Sequence, residues 1–298
     1  MKIGIIGAGT VGTALAVRLR LKGYLISAVA SRSSSSSLRF IKATGSGEIC
    51  SLQGVADKCD LVFITTPDDA IPEVVNQVRW HPGQSVVHCS GADSLDVLEP
   101  ARMVGARVGS FHPLQTFAGI QKAIENLPGS TFALEAEEPL LSTLKEMAAA
   151  LEGHWIKLGA GDKAAYHAAA VMTSNYLVTL VKLATDLWQS FGVPRQEAIE
   201  ALLPLLKGTL NNLQTLGVPN ALTGPIARGD AGTVRIHLDT LRNMAPSILP
   251  AYCELGLQTI PVAMAKGRIG EEQAEEIEGL LTEAAKYRSE RDAKCAQF

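Results

Sequence analysis

Four groups of residues have the types and spacing to do chemistry. The first is Gly7-Ala8-Gly9-Thr10-Val11-Gly12, a GxGxxG six residues from the start of the chain. In such a loop the first glycine permits a tight turn and the second lets backbone approach a diphosphate. The third lets helix and strand pack closely, and the helix N-terminus offers free N–H groups to phosphate. The second group is Ser31-Arg32-Ser33, where a site for a ribose with free hydroxyls would carry Asp or Glu. Arginine and hydroxyls suit a 2′-phosphate, which an acid would repel. These two groups together predict an NADP(H) site.

The third group comprises polar segments after strand-like runs: Thr65-Thr66-Pro67-Asp68-Asp69, His88-Cys89-Ser90-Gly91-Ala92 and Phe111-His112-Pro113-Leu114-Gln115. As strand-end loops of one sheet they would form a continuous groove. Thr65, Thr66, Pro67, Ser90 and Gly91 are expected at the cofactor and His112 at a small-molecule substrate. Asp68 or Asp69 is expected to cap the next helix. The fourth group is Asp162, Lys163, His167, Ser174 and Asn175. Asp162 is expected to cap a long helix, with Lys163 in its first turn. There the helix dipole disfavours a cation and lowers the lysine pKa, as suits a proton donor. Lys163, His167 and Ser174 recur on one helix face, with Asn175 at its margin, and small alanines beside them allow close approach. Arg228, in Leu222–Asp230, is a further candidate for holding a carboxylate or phosphate, against the plainer reading of a helix-end cap. The Arg-Gly-Asp triplet there carries no adhesion meaning.

The elements that must position these groups are readable from periodicity. Ile3–Ile6, Leu25–Ala30, Leu61–Thr65, Ser85–His88 and Ala106–Phe111 read as strands, with helices over Val11–Leu21 and Ile71–Val78. This alternation predicts a parallel, doubly wound α/β sheet. Thr131–Leu134, a helix over Pro139–Leu151 and His154–Leu158 add one strand–helix–strand unit. After Gly159-Ala160-Gly161 strand signals stop, and helices are expected over 162–190, 195–214, 233–244, 246–266 and 271–290. The predicted domains are therefore 1–159, a Rossmann domain, and 160–298, an all-helical domain.

Composition bounds the function. With 47% apolar and 19% charged residues the 298-residue chain is globular, not disordered. A net charge of −3 without basic runs disfavours nucleic acid and anionic membranes as partners. Cys50, Cys59, Cys89, Cys253 and Cys295 lack a CxxC pair and read as reduced thiols of a cytoplasmic protein, with no metal site. The glycine-broken N-terminus does not read as a signal peptide. The apolar stretch Ala164–Ala184 reads as a buried helix, because His167, Asn175 and Lys182 interrupt it. Ser33–Ser37 is a low-complexity tract, readable as a mobile loop that orders on the cofactor.

The segments GIIGAGTVG, TTPDDAI, HCSGADSL, GSFHPLQTF, KAAYHAAAVMTSNYLVTL and ALTGPIARGD resemble, over nearly the whole chain, Rossmann-like proteins with a C-terminal domain of unknown function, described as NADP-dependent oxidoreductases. More distantly the chain is similar to pyrroline-5-carboxylate reductases, ketopantoate reductases and β-hydroxyacid dehydrogenases. The resemblance implies a Rossmann domain, a helical domain, NADP(H) and a homodimer formed through the helices. In β-hydroxyacid dehydrogenases an interdomain lysine assists proton transfer, with an asparagine four residues later. Lys163 matches the lysine, and His167 stands in place of the asparagine. Three functions are compatible: NADPH-dependent reduction of a small oxo acid, reduction of an imine or pyrroline, and cofactor sensing without turnover.

Overall fold

The structure is a computed structural model that describes residues 1–295, and side chains through Lys286; the side chain of Cys295 lies outside the described residues. The chain forms two compact units, the first Met1–Asn175 and the second from Tyr176 onward. The first contains β1 (Lys2–Ile6), α1 (Thr10–Leu21), β2 (Leu25–Ala30), α2 (Ser34–Thr44), β3 (Glu48–Ile49), α3 (Leu52–Lys58), β4 (Leu61–Ile64) and α4 (Ile71–Gln77). There follow β5 (Ser85–His88), α5 (Glu99–Met103), β6 (Arg107–Leu114), α6 (Ile120–Asn126), β7 (Thr131–Ala136), α7 (Leu140–Ala150), β8 (His154–Lys157) and α8 (Asp162–Thr173). The eight strands lie in the order β3-β2-β1-β4-β5-β6-β7-β8. All neighbours run parallel except β6 and β7.

Alternation along each strand sorts side chains between two cores. Ile3, Ile5, Phe63, Val87 and Phe111 pack on one face with Leu15 and Leu19 of α1. Ile6, Val62, Ile64 and Val86 pack on the other with Val55 of α3 and Val74 of α4. Phe63, Phe111 and Phe132 form a ring ladder through the first core, with centroid separations of 5.8 and 4.5 Å.

The strand after β5 departs from the expectation. β6 continues through Leu114, so His112 lies within a strand and not in a loop. Pairing with β5 ends at Ser110, while the antiparallel partner β7 carries β6 onward, with His112 opposite Ala133. The serine tract is likewise not a loop. It forms the first turn of α2, and the Ser33 side chain accepts from the Ser36 amide. Asp68 and Asp69 lie in a single 3₁₀ turn and cap nothing, since neither that turn nor α4 has a side-chain cap.

The second unit contains α9 (Asn175–Gln189, whose first residue closes the first unit), α10 (Arg195–Leu216), α11 (Ala231–Met244), α12 (Leu249–Ala265) and α13 (Glu271–Cys295). Val234, Leu238, Leu249, Cys253, Ile277 and Leu281 supply its core, from α11, α12 and α13. The helix expected over 162–190 is broken at Ser174 into α8 and α9, and α8 belongs to the first unit, not to the helical one. Among the described residues no helix is long and apolar enough to cross a membrane.

Candidate functional site

The glycine loop joins β1 to α1 at the sheet's carboxyl edge. Gly7 has φ +110°, and a Cβ there would press on the Thr65 and Thr66 backbone at 2.6–2.8 Å. A Cβ on Gly12 would strike Thr65 Oγ1 and the Gly7 carbonyl. Both positions therefore require glycine for reasons internal to the fold. Thr65 clamps the loop by donating its hydroxyl to the Gly7 carbonyl at 2.6 Å. Gly9 differs: its φ is −81°, and a Cβ there would meet nothing within 4 Å. No part of the chain requires glycine at that position, and the open space lies over the N-terminus of α1.

This space opens into a cleft of about 480 Å³. Gly7, Ala8 and Gly9 line it, together with Ser31, Arg32 and Ser33 at the end of β2 and Thr65, Thr66 and Pro67 after β4. Thr10 and Val11 form the first turn of α1 beside it. Thr66 Oγ1 is buried without a partner among the described residues. The sequence missed the far wall, where Ser51 and Leu52 from the start of α3 face Glu73 and Gln77 of α4. No motif marks those positions; only the folded sheet brings them there. Open backbone at a helix N-terminus, an exposed arginine and serine hydroxyls fit a dinucleotide bearing an additional phosphate.

Ser90 and Gly91 do not line this cleft. They belong to a second cluster, built where β5, β6 and α8 meet. Lys163 is 4% exposed, and its ammonium donates to the Ser90 carbonyl at 2.7 Å. Burial lowers its pKa to about 8, against the opposing pull of Glu135, Cys89, Asp93 and Asp68. Desolvation is the largest cause of the shift. Asp162 is also placed differently from the expectation. The helix cap is Gly161, and the Asp162 carboxylate accepts from the Gly159 amide at 2.8 Å.

Two imidazoles flank Gly91. A Cβ on that glycine would lie 2.8 Å from both His112 Nε2 and His167 Cδ2. The two rings stand edge to face, 6.3 Å apart between centroids. His112 Nδ1 lies 2.7 Å from the Tyr166 hydroxyl. Burial, then the Lys163 charge, pushes the His112 pKa down to about 4. Burial raises the Tyr166 phenol to about 12. His88, fully buried at the end of β5, accepts from the Ser90 amide and is lowered to about 3, chiefly by burial. The site therefore combines one buried ammonium with two imidazoles, His88 and His112, that are uncharged near neutral pH.

A cavity of about 360 Å³ adjoins the cluster. His112, His167, Ser174 and Asn175 line it, with Gln115 and Thr116. The break at Ser174 thus contributes directly to this wall. Lys163 is not among the lining residues. Tyr166 and Gln115 were not singled out as site residues by the sequence. Tyr166 lies one residue before His167, and helix geometry gives no reason to expect it to reach a strand. Arg228 belongs to the other unit, where it lies 3.8 Å from Asp230 and lines a separate cavity with Lys266 and Arg268.

Comparison with known proteins agrees with this architecture. Residues 1–113 match the Rossmann-like domain, and residues 130–259 match a domain of unknown function, DUF2520. No curated protein matches the sequence. Among solved structures the chain is similar to BF3122 of Bacteroides fragilis, by its description an NADP oxidoreductase. The two are 26% identical with a TM-score of 0.70, over 87% of this chain and 98% of that one. A reductive aminase of Aspergillus terreus, in complex with NADPH and ethyl-5-oxohexanoate, is 17% identical with a TM-score of 0.60, over 96% and 94%. The 1-pyrroline-5-carboxylate reductase of Streptococcus pyogenes is 19% identical with a TM-score of 0.59, over 96% and 98%. At these identities the likeness to the last two is one of fold. The chain thus matches the Rossmann-like domain in its first part and DUF2520 in its second, the combination its sequence resembles.

Proposed function

We propose that the protein is an NADPH-dependent reductase of a small carbonyl compound, an oxo acid being the substrate class read from the sequence. The observation that carries this reading is the space over Gly9, which none of the described residues fills, in a cleft that Gly9 and Arg32 both line. Backbone N–H groups of the Gly7–Gly12 loop hold the diphosphate, and Ser31, Arg32 and Ser33 hold the 2′-phosphate. Bound NADPH would supply a hydride to the acceptor carbon, and of the two proton donors expected from the sequence, Lys163 and His167, it is His167 that lines the cavity and would give the proton to the acceptor heteroatom. His167 and His112 face the cavity where that acceptor would sit. Ser174 and Asn175 orient it by hydrogen bonds. Lys163, buried against Ser90, acts from beneath the site through its charge and its hold on the loop.

The reductive aminase and the pyrroline carboxylate reductase among the similar structures favour a second reading, in which the acceptor is a C=N bond. A sensor without turnover has no use for a buried lysine beside paired histidines, so the enzymatic readings come first. We further propose that a second copy of the chain covers α10. Of its 22 residues only Ala198 is buried, while Leu203, Leu205, Leu210, Leu213 and Leu216 are exposed. An isolated helix so apolar is unfavourable in water without a partner.

The test is NADPH and NADH affinity by fluorescence titration, before and after Arg32→Ala. This is followed by NADPH oxidation with a panel of oxo acids and cyclic imines. Loss of one charge-assisted contact to phosphate, ~1.5–3 kcal/mol, predicts roughly ten- to hundredfold weaker NADPH binding with NADH little changed. Equal affinity of the wild type for the two nucleotides refutes the assignment.

A further inference from the structure

We infer that Tyr166 is a positioning residue, whose hydroxyl fixes the His112 imidazole as the tautomer with its N–H at Nε2, turned toward Gly91 and His167. The inference rests on the reductase reading for its purpose, but its geometry stands apart from it. Tyr166 Oη and His112 Nδ1 are 2.7 Å apart, and the rings meet edge to face at 88° with centroids 5.5 Å apart. A neutral imidazole has one N–H and one bare nitrogen. The phenol is the stronger acid of the two neutral groups and keeps its proton at all working pH values, since burial raises it further. It therefore donates to Nδ1, and the imidazole proton resides on Nε2.

What lies on the Nε2 side supports a purpose for this arrangement. Nε2 lies 2.8 Å from where a Cβ of residue 91 would be, so glycine leaves that nitrogen uncovered. The ring lines the cavity beside His167, Ser174 and Asn175. Burial and the Lys163 charge keep His112 from taking a second proton near neutral pH. A neutral N–H fixed in this way is a hydrogen-bond donor to the acceptor oxygen or nitrogen, strengthening as negative charge develops there. Tyr166 lines neither the cleft nor the cavity, and it acts through His112. It also joins α8 to β6, so a purely structural role is the competing explanation.

The two roles separate by nitrogen NMR. Long-range ¹H–¹⁵N correlation on the whole ¹⁵N-labelled protein at pH 7.5 reads which His112 nitrogen carries the proton, with no ligand required. The inference expects a pyridine-type Nδ1 and a pyrrole-type Nε2 in the wild type. In Tyr166→Phe both resonances shift toward the averaged position. A protonated Nδ1 in the wild type overturns the inference, as does an unchanged tautomer in a folded Tyr166→Phe. Should Tyr166→Phe not fold, the wild-type spectrum alone decides. On any accepted substrate, Tyr166→Phe lowers kcat about tenfold with KM for NADPH unchanged. His112→Gln keeps a donor near the Nε2 position, and adding Tyr166→Phe to it has no further effect; an additional tenfold loss overturns the inference. Absence of NADPH binding refutes the reductase reading and leaves the tautomer result standing.

Discussion

Replacing Lys163 by methionine tests whether its burial is strained, and the magnitude follows from the structure. In the folded chain the ammonium is 4% exposed and its pKa falls from 10.5 to about 8. The unfolded chain holds the ordinary value. Below pH 8 both states bind the proton, and the folded state bears the full penalty. That penalty is 2.5 pH units at 1.36 kcal/mol each, or ~3 kcal/mol. Between pH 8 and 10.5 the folded state releases the proton while the unfolded state still binds it, so stability rises with pH. At pH 9.5 the gain is 1.5 units, or ~2 kcal/mol. Lys163→Met removes the buried charge and leaves the Ser90 carbonyl without its donor, which costs ~1–3 kcal/mol. At pH 7 the two effects nearly offset. At pH 9.5 the penalty relieved by the substitution is smaller, and the variant is the less stable protein by ~2 kcal/mol more than at pH 7. Urea denaturation of both proteins at the two pH values measures this, and titrations common to both cancel in the difference. A variant destabilised equally at pH 7 and 9.5 would refute the assigned burial of the charge.

The remaining predictions concern the loop, the imidazoles and the helical unit. Gly9→Val fills open space at the N-cap of α1, so the cost in stability is that of a poorer helix cap, ~1 kcal/mol, while NADPH binding is lost. Unchanged NADPH affinity in isothermal titration contradicts the cleft assignment. Gly91→Ala places a methyl 2.8 Å from both His112 and His167, and should cut turnover on any accepted substrate at least tenfold with NADPH affinity retained. His88 and His112, lowered from 6.5 to about 3 and about 4, contribute stability that is complete above pH 6.5. It is lost as pH falls toward 4, by ~3 kcal/mol for His112 alone. A denaturation midpoint that does not move between pH 7 and 4.5 argues against neutral buried imidazoles. Leu205→Glu with Leu213→Glu on α10 should convert a dimer to a monomer in light scattering. A monomeric wild type removes the proposed second copy.

The parts of this molecule legible in its sequence are those governed by local physics. Ile3–Ile6, Leu25–Ala30 and Ser85–His88 are short apolar runs, and the glycines at 7 and 12 are marked by their spacing, although the contacts that require them come largely from Thr65 and Thr66, far along the chain. The less legible parts depend on pairing across the sheet. His112 was expected in a loop because Phe111-His112-Pro113 ends an apolar run, whereas the antiparallel partner β7 prolongs the strand. The break at Ser174 was hidden because alanines and apolar residues continue the helical period through it. Lys163 lies in the expected turn, but the largest cause of its lowered pKa, burial beside Ser90, comes from a residue 73 positions away. Tyr166 gave no signal, since its partner lies 54 positions away on a different element.

Electrostatics join these placements into one design. A buried ammonium needs acceptors and acids nearby, and Lys163 has the Ser90 carbonyl with Glu135, Asp93 and Asp68 acting on it. Its charge in turn disfavours protonation of His88 and His112. Positive charge is therefore held on the Lys163 ammonium against the Ser90 carbonyl, while His88 and His112 stay neutral as donors and acceptors. Two cationic imidazoles beside that ammonium would repel one another and would need counter-ions at the cavity wall. Instead Gln115, Thr116, Ser174 and Asn175, all uncharged, line it with His112 and His167. Such a wall orients an acceptor by hydrogen bonds and stabilises negative charge as it forms, without a mobile charge having to reorganise at that moment.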